Sequence, residues 1–160
     1  MNFRKAVLSS AFVVAVAGAA GIAWIGGGAP AQAAPMNFTL VDVSGIVTGS
    51  PESVSFSGKA RVGSRLAPDP DFNSPRFVLT IDMSEVNGTG TSTQKKYVVP
   101  STEVVQRRVA SSHVVTYSFP FVENGKDGLS ARAGKVSFTL SFNMDTGTVT
   151  AASGSVGSLN

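Results

Sequence analysis

The chain has 160 residues with one histidine and no cysteine, and 13 basic side chains stand against 10 acidic ones. The absence of thiols excludes disulfide-stapled scaffolds and cysteine nucleophiles, and the lone His113 excludes multi-histidine metal sites. Two of the cations, Arg4 and Lys5, fall in a segment expected to be removed, so the formal charge of +3 drops by two and no general attraction to nucleic acid is expected.

Residues 1–33 have the form of a helical export signal. Arg4 and Lys5 open it, residues 6–25 carry no charge, and Ala31-Gln32-Ala33 offers the small-x-small pattern of a cleavage site between Ala33 and Ala34. Such a signal segment engages the membrane only during export. A retained anchor is the alternative, because the apolar run is long enough to cross a bilayer. Residues 34–160 then form a single β domain, expected in the periplasm or secreted.

From there strand patterns follow one another. Residues 38–48 are rich in β-branched side chains and end at the turn signal Gly49-Ser50-Pro51. Residues 53–62 alternate Val54, Phe56, Gly58, Ala60 and Val62 with polar neighbours, and the small pair Gly58 and Ala60 predicts a bend or bulge. Pro68, Pro70 and Pro75 remove ladder donors, so 67–75 is predicted to be a loop. Residues 76–83 form a further strand pattern, 87–93 a flexible connection, and 95–109 two short runs around Pro100. In 113–122, Val115, Tyr117, Phe119 and Phe121 share a face.

The clearest strand pattern comes last. Val136, Phe138, Leu140, Phe142 and Met144 alternate with Ser137, Thr139, Ser141 and Asn143. Asp145-Thr146-Gly147 then predicts a hairpin with Gly147 at positive φ, and 153–160 is predicted to be a flexible tail. The expected fold class is all-β, a single antiparallel β-sandwich or small β-barrel of about seven to eight strands.

Chemistry is harder to find. No Gly-x-Ser-x-Gly elbow marks a nucleophile, and His113 sits where a solvent-facing strand-edge histidine is expected. Asp69-x-Asp71-x-Asn73 resembles the opening of a calcium loop, but Ser74 and Thr80 stand where that loop needs glycine and glutamate. A solvated turn is the better reading. No catalytic residue, metal or cofactor is expected.

The segment with the most to say is basic. A four-residue turn at 100–103 would set Lys96 opposite Arg107 and Lys95 opposite Arg108, with Tyr97 alongside. Those five residues form a candidate patch for an anionic envelope polymer. Cations on an edge strand also prevent edge-to-edge aggregation, which is the alternative reading. The expected function is an exported, non-enzymatic binding domain of a bacterial-type cell envelope, with an apolar pocket between its sheets. Two alternatives stay open. One is a fibre or adhesin subunit joined to a protein partner by strand addition, and the other is a small outer-membrane barrel.

Overall fold

The computed structural model describes residues 35–159 except 70, 72 and 73. The expected export segment and its predicted cleavage point between Ala33 and Ala34 lie outside the described residues. Nine strands are present among the described residues: β1 (Asn37–Val47), β2 (Val54–Asp69), β3 (Ser74–Asp82), β4 (Val86–Gly90), β5 (Lys96–Val98), β6 (Thr102–Arg108), β7 (Ser112–Glu123), β8 (Arg132–Phe142) and β9 (Val149–Gly157). Among the described residues no α-helix forms. The all-β expectation holds.

The strands make one sheet in the order β1-β9-β8-β7-β5-β4-β2-β3-β6, and β1 pairs in addition with β2, so the ladder returns to its start. β2 is long enough to hold three neighbours. One of its edges pairs with β1 throughout Val54 to Ser64; the other pairs with β4 from Val54 to Gly58 and with β3 from Arg61 to Asp69. Lys59 and Ala60 lie between those two stretches, opposite Met83, Ser84 and Glu85. The extra residue makes the bulge that Gly58 and Ala60 predict.

That interruption explains why nine strands appear where seven or eight were expected. β3 and β4 continue one path across 83–85, and β5 and β6 continue the next across 99–101. Counted as paths, the number is odd, so the first and last strands run the same way. β1 and β9 accordingly pair in parallel from Val43↔Gly154 to Gly45↔Val156, which corrects the all-antiparallel expectation.

Three boundaries also differ from expectation. The prolines do not open a loop from 67 to 75, because Pro68 and Pro75 face each other at the end of the β2–β3 ladder. Residues 87–90 belong to β4 and are not a flexible connection. Residues 153–157 belong to β9 and are not a frayed tail.

The core follows from the alternation. In β8, Val136, Phe138, Leu140 and Phe142 are buried, while Met144 lies beyond the strand and is 52% exposed. The turn that follows matches expectation: Gly147 has φ +72° and its N–H donates to the Asn143 carbonyl at 2.9 Å. Phe56, Phe77, Phe119, Phe121 and Phe138 are fully buried, and burying each contributes about 1.5–3 kcal/mol. Phe56 meets Phe119 and Phe121 edge-on at 5.6 and 5.0 Å between ring centroids. At the other end of the core, Phe77 stacks on Phe142 at 4.4 Å. Packed aromatic rings therefore occupy the space where an apolar pocket was expected.

Candidate anion-binding clefts

The basic hairpin does not form. β5 pairs with β4 and β7, whereas β6 pairs with β3, so Lys96 lies opposite Thr89 and Arg107 opposite Phe77. The reason is local. Residues 99–101 do not reverse the chain: Ser101 N–H donates to the Val99 carbonyl, and Met83 N–H donates to the Ser101 carbonyl, which keeps β6 on the same course as β5. The five residues are thus divided between two sites.

Lys95, Lys96 and Tyr97 stand where β4, β5 and β7 meet. Lys95 pairs with Glu123 at 3.0 Å, and that carboxylate holds its ammonium above the ordinary value. Lys96 turns outward to Thr89, its Nζ donating to Oγ1 at 3.0 Å. Tyr97 is buried and donates to Glu52 Oε1 at 3.2 Å; burial first, and then this bond, push its phenol above the ordinary value.

Glu52 was not anticipated. It is only 8% exposed, yet every side-chain oxygen is used. Oε2 accepts the N–H groups of Ser92 and Thr93 at 3.0 and 2.9 Å, and Oε1 accepts Thr93 Oγ1 at 2.5 Å besides Tyr97. The Thr93 hydroxyl and N–H contribute most to lowering its carboxyl from 4.5 to about 2. A carboxylate so held stays ionised and is a poor general acid or base; it ties the turn before β2 to the turn after β4.

Next to it, Ser50, Pro51, Tyr97, Glu123, Lys126, Ser130 and Arg132 line an open cleft of about 340 Å³. Arg132 lies with its guanidinium carbon 5.0 Å from the centre of the Phe121 ring, and its Nη2 donates to the Glu52 backbone carbonyl at 2.8 Å. Its Nη1 is shielded from solvent without a hydrogen-bond acceptor among the described residues. The nearby carboxylates are already committed, Glu52 to its donors and Glu123 to Lys95. Lys126 and Arg132 thus leave the cleft with positive charge to spare.

Arg107 and Arg108 line the second cleft, of about 480 Å³, with Asp69, Ser74, Pro75, Arg76 and Gln106. Arg76 is consumed within it, ion-paired with Asp69 and donating to Gln106 Oε1 at 2.7 Å. Asp69 is buried against this pair and caps Asp71 N–H at 3.1 Å, so the expected solvated turn is corrected here: its first carboxylate is internal. Among the described residues no group of three or more acidic, histidine or cysteine side chains could hold a metal.

His113 also differs from expectation. It is half-buried, on the same strand face as Val115, Tyr117 and Phe119. Its ring lies edge-on to Phe77 and Phe142, and Nε2 meets the Arg108 carbonyl at 2.7 Å. Comparison with protein-family models, with curated proteins and with solved structures gives no match for this chain.

Proposed function

We propose that this chain is an exported, non-enzymatic binding protein, a small β-barrel that takes an anionic ligand of the cell envelope in the Arg132 cleft. The observation that carries the reading is the convergence of Lys126 and Arg132 on one cleft whose carboxylates are already engaged. The closed pairing of β1 with both β2 and β9 supports the barrel form. The periplasmic or secreted location rests on the signal pattern of residues 1–33 alone.

The side chains that face outward weigh against the outer-membrane alternative. Asp42, Ser44, Ser55, Ser57, Lys59 and Thr116 lie on the outside of their strands, interspersed with exposed Leu40, Ile46 and Val114, while the phenylalanine-rich set is inside, which is not the continuous apolar outer band that lipid requires. The fibre-subunit alternative has one observation in its favour, an edge on β6 that no strand pairs with among the described residues.

Affinity for immobilised polyphosphate and polyglutamate, one phosphate and one carboxylate polymer, tests the reading. Arg132→Gln and Lys126→Gln should each weaken retention of the preferred polymer by about 1.5–3 kcal/mol, the range for a hydrogen bond to a charged group. Lys96→Gln, outside the cleft, should leave it unchanged. Retention of neither polymer, or equal retention of the exposed Lys126→Gln variant, would retire the proposal.

A further inference from the structure

β6 is the end of the sheet order. Its inner neighbour is β3, and among the described residues no strand pairs with its other edge. β7 does not close it: β5 meets β7 only at Tyr97↔Glu123 and Val98↔Val122, and the first part of β7 pairs with β8 alone. Thr102, Glu103, Val104, Gln106 and Arg108 are exposed, with Val104 at 60%. Glu103 and Arg107 project from the same face of this strand, four residues apart, and neither has an ion-pair partner among the described residues.

We propose that β6 pairs with β6 of a second copy of this chain, antiparallel about a two-fold axis at Val105. In that register Glu103 lies opposite the second copy's Arg107, and Arg107 opposite its Glu103, so both unpaired charges are matched twice over. Val104 lies opposite Gln106 and Thr102 opposite Arg108. Shifting the axis to Val104 sets Glu103 against Val105, and shifting it to Gln106 sets Glu103 against Val109. Neither shift gives the carboxylate a cation directly across the ladder. The charge pattern selects one register.

The backbone supports the same choice. Side chains meet the carbonyls of Gln106 and Arg108, from Arg107 Nη1 at 2.9 Å and from His113 Nε2 at 2.7 Å. The even-numbered residues are therefore the ones whose backbone groups face away from β3. Paired about Val105, Val104 and Gln106 become the hydrogen-bonded positions, the Arg108 carbonyl stays with His113 Nε2, and Glu103 and Arg107 fall at the alternate positions where side chains approach most closely. Arg107 releases the Gln106 carbonyl and takes the carboxylate. Because a two-fold contact uses each edge once, it closes at two copies and does not propagate. This inference does not rest on the ligand reading above.

Sedimentation of the native chain and of charge-swapped variants tests it. The native chain should sediment as a dimer, and Glu103→Arg and Arg107→Glu should each sediment as monomers, since each sets like charges face to face. An equimolar mixture of the two variants should recover the dimer, because every Arg then meets a Glu. A variant that misfolded could not be rescued in this way. Independently, amide exchange at Val104 and Gln106 of the native chain should slow as protein concentration rises. A monomeric native chain, a single variant that still dimerises fully, a mixture that stays monomeric, or exchange independent of concentration would overturn the proposal.

Discussion

Where β4, β5 and β7 meet, Phe56, Phe119 and Phe121 pack together, and the carboxylates around them are matched, Glu52 to four donors and Glu123 to Lys95, while Arg132 has Nη2 on a carbonyl and Nη1 without an acceptor among the described residues. Where β6 and β7 part, Phe77 stacks on Phe142, but among the described residues Glu103 and Arg107 lack ion partners and the buried Tyr117 hydroxyl has no hydrogen bond. The same core thus has one end where strand pairing is complete and the carboxylates are matched, and one where pairing stops and the Glu103 carboxylate has no ion partner among the described residues. Backbone closure and carboxylate satisfaction go with each other, because a paired strand fixes the donors that a buried carboxylate needs.

The largest effect should come from the aromatic packing itself. Phe56→Ala, at the closed end, should destabilise by about 3–5 kcal/mol in denaturant unfolding. Phe142→Ala should cost less, since Phe142 is 6% exposed and sits near the unpaired edge, where neighbours can settle into the space. Equal losses at the two positions would show that the ends are equally rigid and would break the comparison.

Glu52 sharpens it next. Its carboxyl is lowered from 4.5 to about 2, so its stabilising contribution is complete above pH 4.5 and is lost as pH falls toward 2. Glu52→Gln should lower the thermal midpoint at neutral pH, and the gap from the native chain should narrow through that window. A gap that persists unchanged at pH 2 would mean that the bonds to Ser92 and Thr93 do not depend on the charge.

Much of this division was legible in the sequence, and its exceptions are instructive. The inward rows of β3, β7 and β8 follow the period of two, and the bulge follows from Gly58 and Ala60. His113 shares the parity of Val115 and Tyr117, so its inward position was available from spacing alone. The tail was misjudged because Ala152-Ser153-Gly154-Ser155 is small and polar, as frayed ends often are. Small residues are also what β9 needs between β1 and β8: a Cβ on Gly154 would come within 2.9 Å of Val43 Cγ2 and 3.0 Å of Phe138 Cε1. The hairpin failed because a proline marks an interruption without saying whether the chain turns back. Glu52 left no local signal, since its partners lie some forty positions away and two of its four donors are backbone N–H groups, which side-chain identity does not encode.

The smallest expected effect concerns Tyr117, and it bears on the open end directly. Its hydroxyl is buried with no partner among the described residues, and burial first, then the charges of Glu103 and Asp82, push its ionisation well above the ordinary 10. An unsatisfied buried hydroxyl costs stability that a benzene ring does not, so Tyr117→Phe should be neutral or stabilise by about 1 kcal/mol at neutral pH. The sign of the pH effect follows from the raised value. Below pH 10 the phenol is protonated both folded and unfolded and the native stability is intact. Above pH 10 the unfolded chain loses this proton while the folded one keeps it, so stability falls as pH rises. Tyr117→Phe should remove that part of the alkaline decline, read as a smaller drop in unfolding midpoint between pH 9 and 11, on either side of the ordinary phenol value. A variant clearly less stable than the native chain at neutral pH would mean that the hydroxyl has a partner after all, and the open end would then be as well satisfied as the closed one.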